Sequence, residues 1–174
     1  MDERVVIQRA KEGDELAWRW LYETHKAYVY AVVRRVVGNS HTVEDISQDA
    51  WLRIFRKIDL FELRSSFRTW VTKVAINVAY GSIRGGLHEE ASDSDTVEPD
   101  LGSAPENLLL DHIVIQELLD RLPPGYRTVL VLRSEGFSHE EIAETLGIDP
   151  GTSRSQYHKG LASLRKLLGH PPKG

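Results

Sequence analysis

The chain has 174 residues, 41% of them hydrophobic and 28% charged, with a net charge of −4 and no cysteine. That is room for one ordinary domain or two small ones, with the composition of a soluble globular protein rather than a disordered or fibrous one. Disulfides, thiolate chemistry and cysteine-ligated zinc are excluded; the longest apolar run, 27–33, is far too short to span a bilayer.

The opening Met1-Asp2-Glu3-Arg4 has no apolar core of signal-peptide length behind it, so a cytoplasmic protein without membrane insertion is expected. Residues 1–85 carry 14 Lys and Arg against 11 Asp and Glu and read as helices throughout. "ELAWRWLYETHKAYVYAVVRRVVG" places Leu21, His25, Tyr28, Val32 and Val36 at three- and four-residue spacings, and Gly38 ends it. "TVEDISQDAWLRIFRKI" repeats the pattern with Val43, Ile46, Ala50, Ile54 and Ile58, and "SSFRTWVTKVAINVAYGSIR" does so with Phe67, Trp70, Val71, Val74, Ala75 and Val78. Ser66 is an N-cap there, and Gly85-Gly86 is a stop.

Next comes "GLHEEASDSDTVEPDLGSAPE", Gly86 to Glu106, with seven acids and no Lys or Arg. It has no helical period and too little apolar surface to offset its ordering entropy, which predicts a flexible acidic linker at a domain boundary. Two small helical domains follow, 1–85 and 107–174, each near the lower size limit for an independent core.

In the second, "NLLLDHIVIQELLDRL" is an amphipathic helix halted by Pro123-Pro124-Gly125, while "YRTVLVLR" suits a strand as well as a helix. Ser138 and Glu141 form a capping box, Gly147 ends that acidic helix, and Asp149 with Pro150 starts a last, basic one. Here Tyr157, Leu161, Leu164 and Leu168 form one stripe, which is expected to face the core. Opposite lie Thr152, Ser155, Lys159 and Lys166, flanked by Arg154, His158 and Arg165 on one side and Gln156 on the other. Helix, glycine turn, helix is the helix-turn-helix arrangement, and short hydroxyls beside cations suit the major groove; a merely solvated basic face is the alternative.

Enzyme chemistry finds little support. "HEEIA" at His139 begins like a zinc-protease helix, but Ala143 stands where the second histidine must be, so no metal, cofactor or catalytic residue is expected. A stand-alone transcription regulator would need a sensing domain, and residues 1–85 show neither a receiver-type αβ pattern nor a ligand cavity.

Taken in order, these stretches resemble the extracytoplasmic-function sigma factors, a class of bacterial initiation factor, over nearly the whole chain. The resemblance implies an all-α fold, with "YRTVLVLR" a helix. Its implied partners are core RNA polymerase, through the clamp helices and flap, promoter DNA and an anti-sigma factor. It implies clamp-helix contacts for Asp45, Gln48, Asp49, Trp51, Leu52 and Phe55, although Trp51 also suits ordinary core packing and the acids a solvated helix start. It implies that the loop Phe61 to Phe67 holds an extruded base of the −10 element, with Arg64, Ser65, Ser66, Arg68, Lys73 and Asn77 around it. Trp70 is a candidate to stack on that base, but its place in the apolar stripe favours the core.

The implied −35 readers are Arg154, Ser155, His158 and Lys159, with Thr152 and Gln156 beside them. The linker would thread the channel that later carries RNA, which suits its acids. Four positions depart from the family's pattern. Gly81 stands where Asp is frequent, "IRGGLH" where a longer basic run is, Gln156 where Arg is, and Ser153 where Val or Ile is buried. The first two imply weaker upstream duplex contacts.

Overall fold

The computed structural model describes residues 1–38, 41–90 and 112–169. Among these residues there are eight α-helices and no strand: α1 (Glu3–Lys11), α2 (Glu15–Val37), α3 (Val43–Lys57), α4 (Phe67–Glu90), α5 (His112–Asp120), α6 (Pro124–Ser134), α7 (His139–Leu146) and α8 (Pro150–Leu167). A single 3-10 turn, Ile58–Leu60, follows α3. The expected linker lies outside the described residues from 91 onward. None of the described helices is long and apolar enough to cross a membrane.

Local chemistry sets most helix ends. The Asp14 carboxylate accepts from the backbone N–H of Leu16 (2.9 Å) and Ala17 (3.2 Å) and so starts α2. Gly38, at φ +87°, ends it. There a Cβ would meet the Arg127 guanidinium and the Asp120 carboxylate, each at 3.2 Å. Helix α1, which no periodicity in the sequence singled out, buries Val6, Ile7 and Ala10.

One expected end is wrong. Helix α4 runs through Gly85-Gly86, read above as a stop, to Glu90. Glycine lowers helix propensity by about 1 kcal/mol but leaves the helical conformation allowed, and no proline interrupts the ladder here.

Helices α1 to α4 form one bundle, and α6 to α8 a second. The two pack on one another, with α6 against α2 and with α6 and α7 against α4, so that their cores form one apolar cluster. That docking explains why "YRTVLVLR" has no legible period. Every residue from Arg127 to Leu132 is buried, because α6 lies between its own bundle and the first one.

Polar groups also cross the junction. Arg127, 6% exposed, donates from Nε to the Val36 carbonyl (2.8 Å), at the carbonyl-rich end of α2 where a cation is favoured. Burial holds its guanidinium below its ordinary pKa, and the nearby Asp120 opposes that shift. Gln116 donates to the Arg34 carbonyl (3.3 Å).

Candidate nucleic-acid and partner interfaces

Helix α7 carries the capping box that the sequence implies. Ser138 Oγ accepts from Glu141 N–H (3.1 Å), and Glu141 Oε1 accepts from Ser138 N–H (3.2 Å). Gly147, left-handed at φ 69°, then turns the chain into α8. Asp149 is the N-cap and Pro150 the first residue of α8, but the Asp149 side chain makes no capping hydrogen bond.

The seam of α8 differs from the expected one. Ser153, Gly160 and Leu167 are the buried residues, while Tyr157, Leu161, Leu164 and Leu168 flank them, partly buried. Gly160 is why. A Cβ there would lie 3.0 Å from Leu130 Cδ1 and 3.3 Å from Tyr126 Cβ, so glycine admits α6 to the backbone of α8. The axis of closest approach therefore runs through small residues that a hydrophobicity pattern passes over.

Ser153 is 0% exposed, and its departure from an apolar residue has a partner: Oγ lies 2.8 Å from His139 Nδ1. Burial pushes the His139 pKa down, as do Arg133, Arg154 and His158, while Glu140 opposes them. The pair is thus a neutral hydrogen bond tying α7 to α8. His139→Ala should cost about 1–3 kcal/mol by orphaning the buried hydroxyl, and adding Ser153→Val should restore most of it. Urea unfolding of both variants measures this; no recovery in the double variant would discard the pairing as the cause.

On the far side of α8, Thr152, Arg154, Ser155, His158 and Lys159 are all exposed. Arg154 reaches back to Glu140 (3.3 Å). Gln156 is placed differently from these. It is half-buried, a Cβ at Gly125 would sit 2.9 Å from its Nε2, and its Oε1 is buried without a hydrogen-bond partner. The structure thus brings five of the six expected −35 residues to one exposed face and folds the sixth toward α6.

In the first bundle, Phe61, Phe67 and Trp70 stack beneath the loop that precedes α4, with ring centres 5.2 to 5.9 Å apart. Trp70 is partly buried against the core, as its stripe position implies. Above these rings Arg64, Ser65 and Ser66 are exposed; Arg64 pairs with Glu62 (2.8 Å), and Leu63 takes a left-handed φ of 58°. Ser66 Oγ accepts from Thr69 N–H (3.0 Å) and so caps α4, as expected. The Arg68 guanidinium lies over the Tyr28 ring at 3.8 Å. Lys73 and Asn77 follow one turn apart, Asn77 exposed and Lys73 half-buried, with Nζ 3.7 Å from Glu141 Oε2.

A third feature is an apolar groove of about 1000 Å³ between α2 and α3. Gln48, Trp51, Leu52 and Phe55 line its α3 wall; Asp45 and Asp49 are exposed on the same helix but outside the lining. Sequence reasoning missed the opposite wall, Trp18, Tyr22 and Tyr30 of α2. Trp18 meets Phe55 with ring centres 4.6 Å apart, and Tyr22 meets Trp51 at 5.0 Å. The missed signal is aromatic residues at multiples of four, Trp18, Tyr22 and Tyr30, along the flank of the buried stripe of α2.

Residues 21–86 match the family model described as Sigma-70 region 2, and residues 112–164 match that described as Sigma-70, region 4. The chain is 30% identical to the ECF RNA polymerase sigma factor SigW of Bacillus subtilis, covering 93% of this chain and 94% of that one. It is 31% identical to the ECF RNA polymerase sigma-E factor of Escherichia coli, covering 94% and 93%. Among solved structures, it resembles the sigma factor RpoE in complex with the anti-sigma factor NepR from Bartonella quintana, with a TM-score of 0.62 at 22% identity over 87% of this chain and 96% of that one. It also resembles CnrH in complex with the cytosolic domain of CnrY, with a TM-score of 0.60 at 21% identity over 96% and 97%. With both regions matched in order and relatives aligned along almost their full length, the chain belongs to the extracytoplasmic-function RNA polymerase sigma factors, which act in transcription initiation.

Proposed function

We propose that this chain binds core RNA polymerase through the α2–α3 groove, reads a −35 element with α8, and holds an unstacked base of the −10 element over the loop before α4. The observation that carries the proposal is the exposed face of α8. Hydroxyls at Thr152 and Ser155 lie beside Arg154, His158 and Lys159, on the second helix of a capped helix-turn-helix. Opening a duplex also requires a place for the unstacked base, and the exposed Arg64, Ser65 and Ser66 above a rigid aromatic base suit that need. No covalent chemistry is asked of the chain. An anti-sigma factor is proposed as a further partner, since both solved relatives above are complexes, one of them with a protein so described.

The test mixes purified chain with sigma-free core polymerase and a randomised promoter pool, then sequences the transcripts. Transcripts sharing two spaced elements support the proposal. DNA binding without transcripts would point to a stand-alone helix-turn-helix regulator instead. On the selected promoter, Lys159→Ala should cost about 1–3 kcal/mol of affinity if Lys159 contacts a base. A loss spread evenly over all sequences would assign it to a phosphate.

A further inference from the structure

Residues 62–66, all exposed, link two buried rings, Phe61 and Phe67, and Leu63 among them holds a left-handed φ of 58°. A residue with a side chain keeps that conformation only where the chain on either side is fixed. Two contacts from the first helix fix it. Lys11 Nζ donates to the Phe61 carbonyl (2.6 Å), 50 residues away in the chain. The Phe61 N–H already donates to the Ile58 carbonyl (2.9 Å), and its ring lies against Phe67 and Trp70. The Lys11 bond therefore holds the peptide group that leads directly into the loop. At the other foot, Glu3 Oε1 lies 2.8 Å from His25 Nε2, and the buried His25 ring lies 5.2 Å from that of Phe67.

Glu3 opens α1 and Lys11 closes it. The helix thus spans the two contacts as a strut about 12 Å long, keyed into the core by Val6, Ile7 and Ala10. A half-buried lysine head gives up hydration to reach a carbonyl on another element, although the carbonyls of its own helix end were open to it. Helix α1 also lies outside residues 21–86, which match region 2, and none of the site residues expected above comes from it.

We propose that α1 braces the loop before α4, with Lys11 and Glu3 as positioning residues that hold its two feet at the spacing a stacked −10 base requires. The inference rests on reading loop 62–66 as the seat of an unstacked base. Lys11 and Glu3 act through Phe61 and Phe67 and make no contact with DNA.

The test titrates holoenzyme, made from the full chain and core polymerase, with the labelled −10 non-template strand of a promoter selected from the random pool. Abasic replacement at each position in turn marks the held base as the one whose loss costs the wild-type chain most affinity. Lys11→Met and Glu3→Ala should each bind the intact strand about three- to tenfold more weakly. On the strand abasic at the held position, both should match wild type, because the loop then has nothing to hold. Lys11→Arg and Glu3→Gln can still bond to the carbonyl and to His25, and should recover most of the loss. Ile7→Val loosens the core of α1 but keeps both contacts, and should bind both strands as wild type does.

Either truncation that binds the intact strand like wild type would overturn the role of that residue. A loss that persists on the abasic strand would overturn the brace, and a salt slope lowered by about 1 would then make Lys11 a phosphate contact. An equal loss in Ile7→Val would reduce the effect to general loosening of the bundle and overturn the brace as well. If no single abasic position stands out in the wild-type chain, the base-holding reading itself fails, and the brace with it.

Discussion

Replacing Leu52 and Phe55 together by serine is expected to weaken binding to core polymerase by roughly 30-fold or more, the effect of losing about 2 kcal/mol at an interface hot spot. The two side chains are 55% and 57% exposed, so their apolar surface faces water in the free chain and gains most when a partner covers it. Their neighbours are suited to the same work. Trp18, Tyr22 and Trp51 give the groove rigid aromatic walls, which lose little conformational entropy when covered. The cost to folding should be small, limited to the ring contact of Phe55 with Trp18, worth about 0.5–1.5 kcal/mol. Fluorescence anisotropy with labelled chain and core polymerase measures the affinity, and thermal unfolding by circular dichroism measures the fold. A well-folded double variant with unchanged affinity would move the polymerase contact out of the groove, to the exposed Asp45 and Asp49.

Phe67→Ala should have the largest effect on stability, about 3–5 kcal/mol, which for a chain of this size lowers Tm by roughly 10 °C. Phe67 is 1% exposed and touches the rings of His25, Phe61 and Trp70, so truncation leaves a cavity that three stiff rings cannot fill. It is also the first residue of α4, directly after the exposed loop 62–66. With Phe67 gone, the base under that loop loosens, and promoter opening should suffer more than binding to duplex DNA. Phe67→Leu restores most of the buried volume and should recover most of the stability, but with less rigidity under the loop. A thermal melt comparing the two variants, with permanganate reactivity of opened thymines in the polymerase complex, separates the effects. An unchanged Tm in Phe67→Ala would contradict the packing described here.

The helix-turn-helix and the exposed polar face of its second helix were legible because they rest on local rules. The capping box of Ser138 and Glu141, the left-handed Gly147 and the Pro150 start all act within a few residues, and the exposed side of α8 follows from the helical period alone. The α3 wall of the groove, Trp51, Leu52 and Phe55, came instead from the family resemblance, since the helical period of α3 marks only its buried side. The sequence by itself, with the family it resembles, thus determined an all-helical chain of two sigma regions, most of the helix ends that carry a cap, glycine or proline signal, and the exposed cations of α8.

Tertiary structure decided the remainder, since its partners are distant in the chain. Val36, which accepts from the Nε of buried Arg127, is 91 residues away from it, and Tyr28, one donor to Glu135, is 107 away, separations over which no periodicity speaks. His139 rescues the polar Ser153 from across the turn, and the close approach of α6 at Gly160 moves the buried seam of α8 onto small residues. The aromatic wall of α2 needed α3 beside it before Trp18 and Tyr22 became half of a groove. Local chemistry fixes where a helix starts, stops and is apolar; which side of it another helix covers depends on a core that forms only when the whole chain has folded.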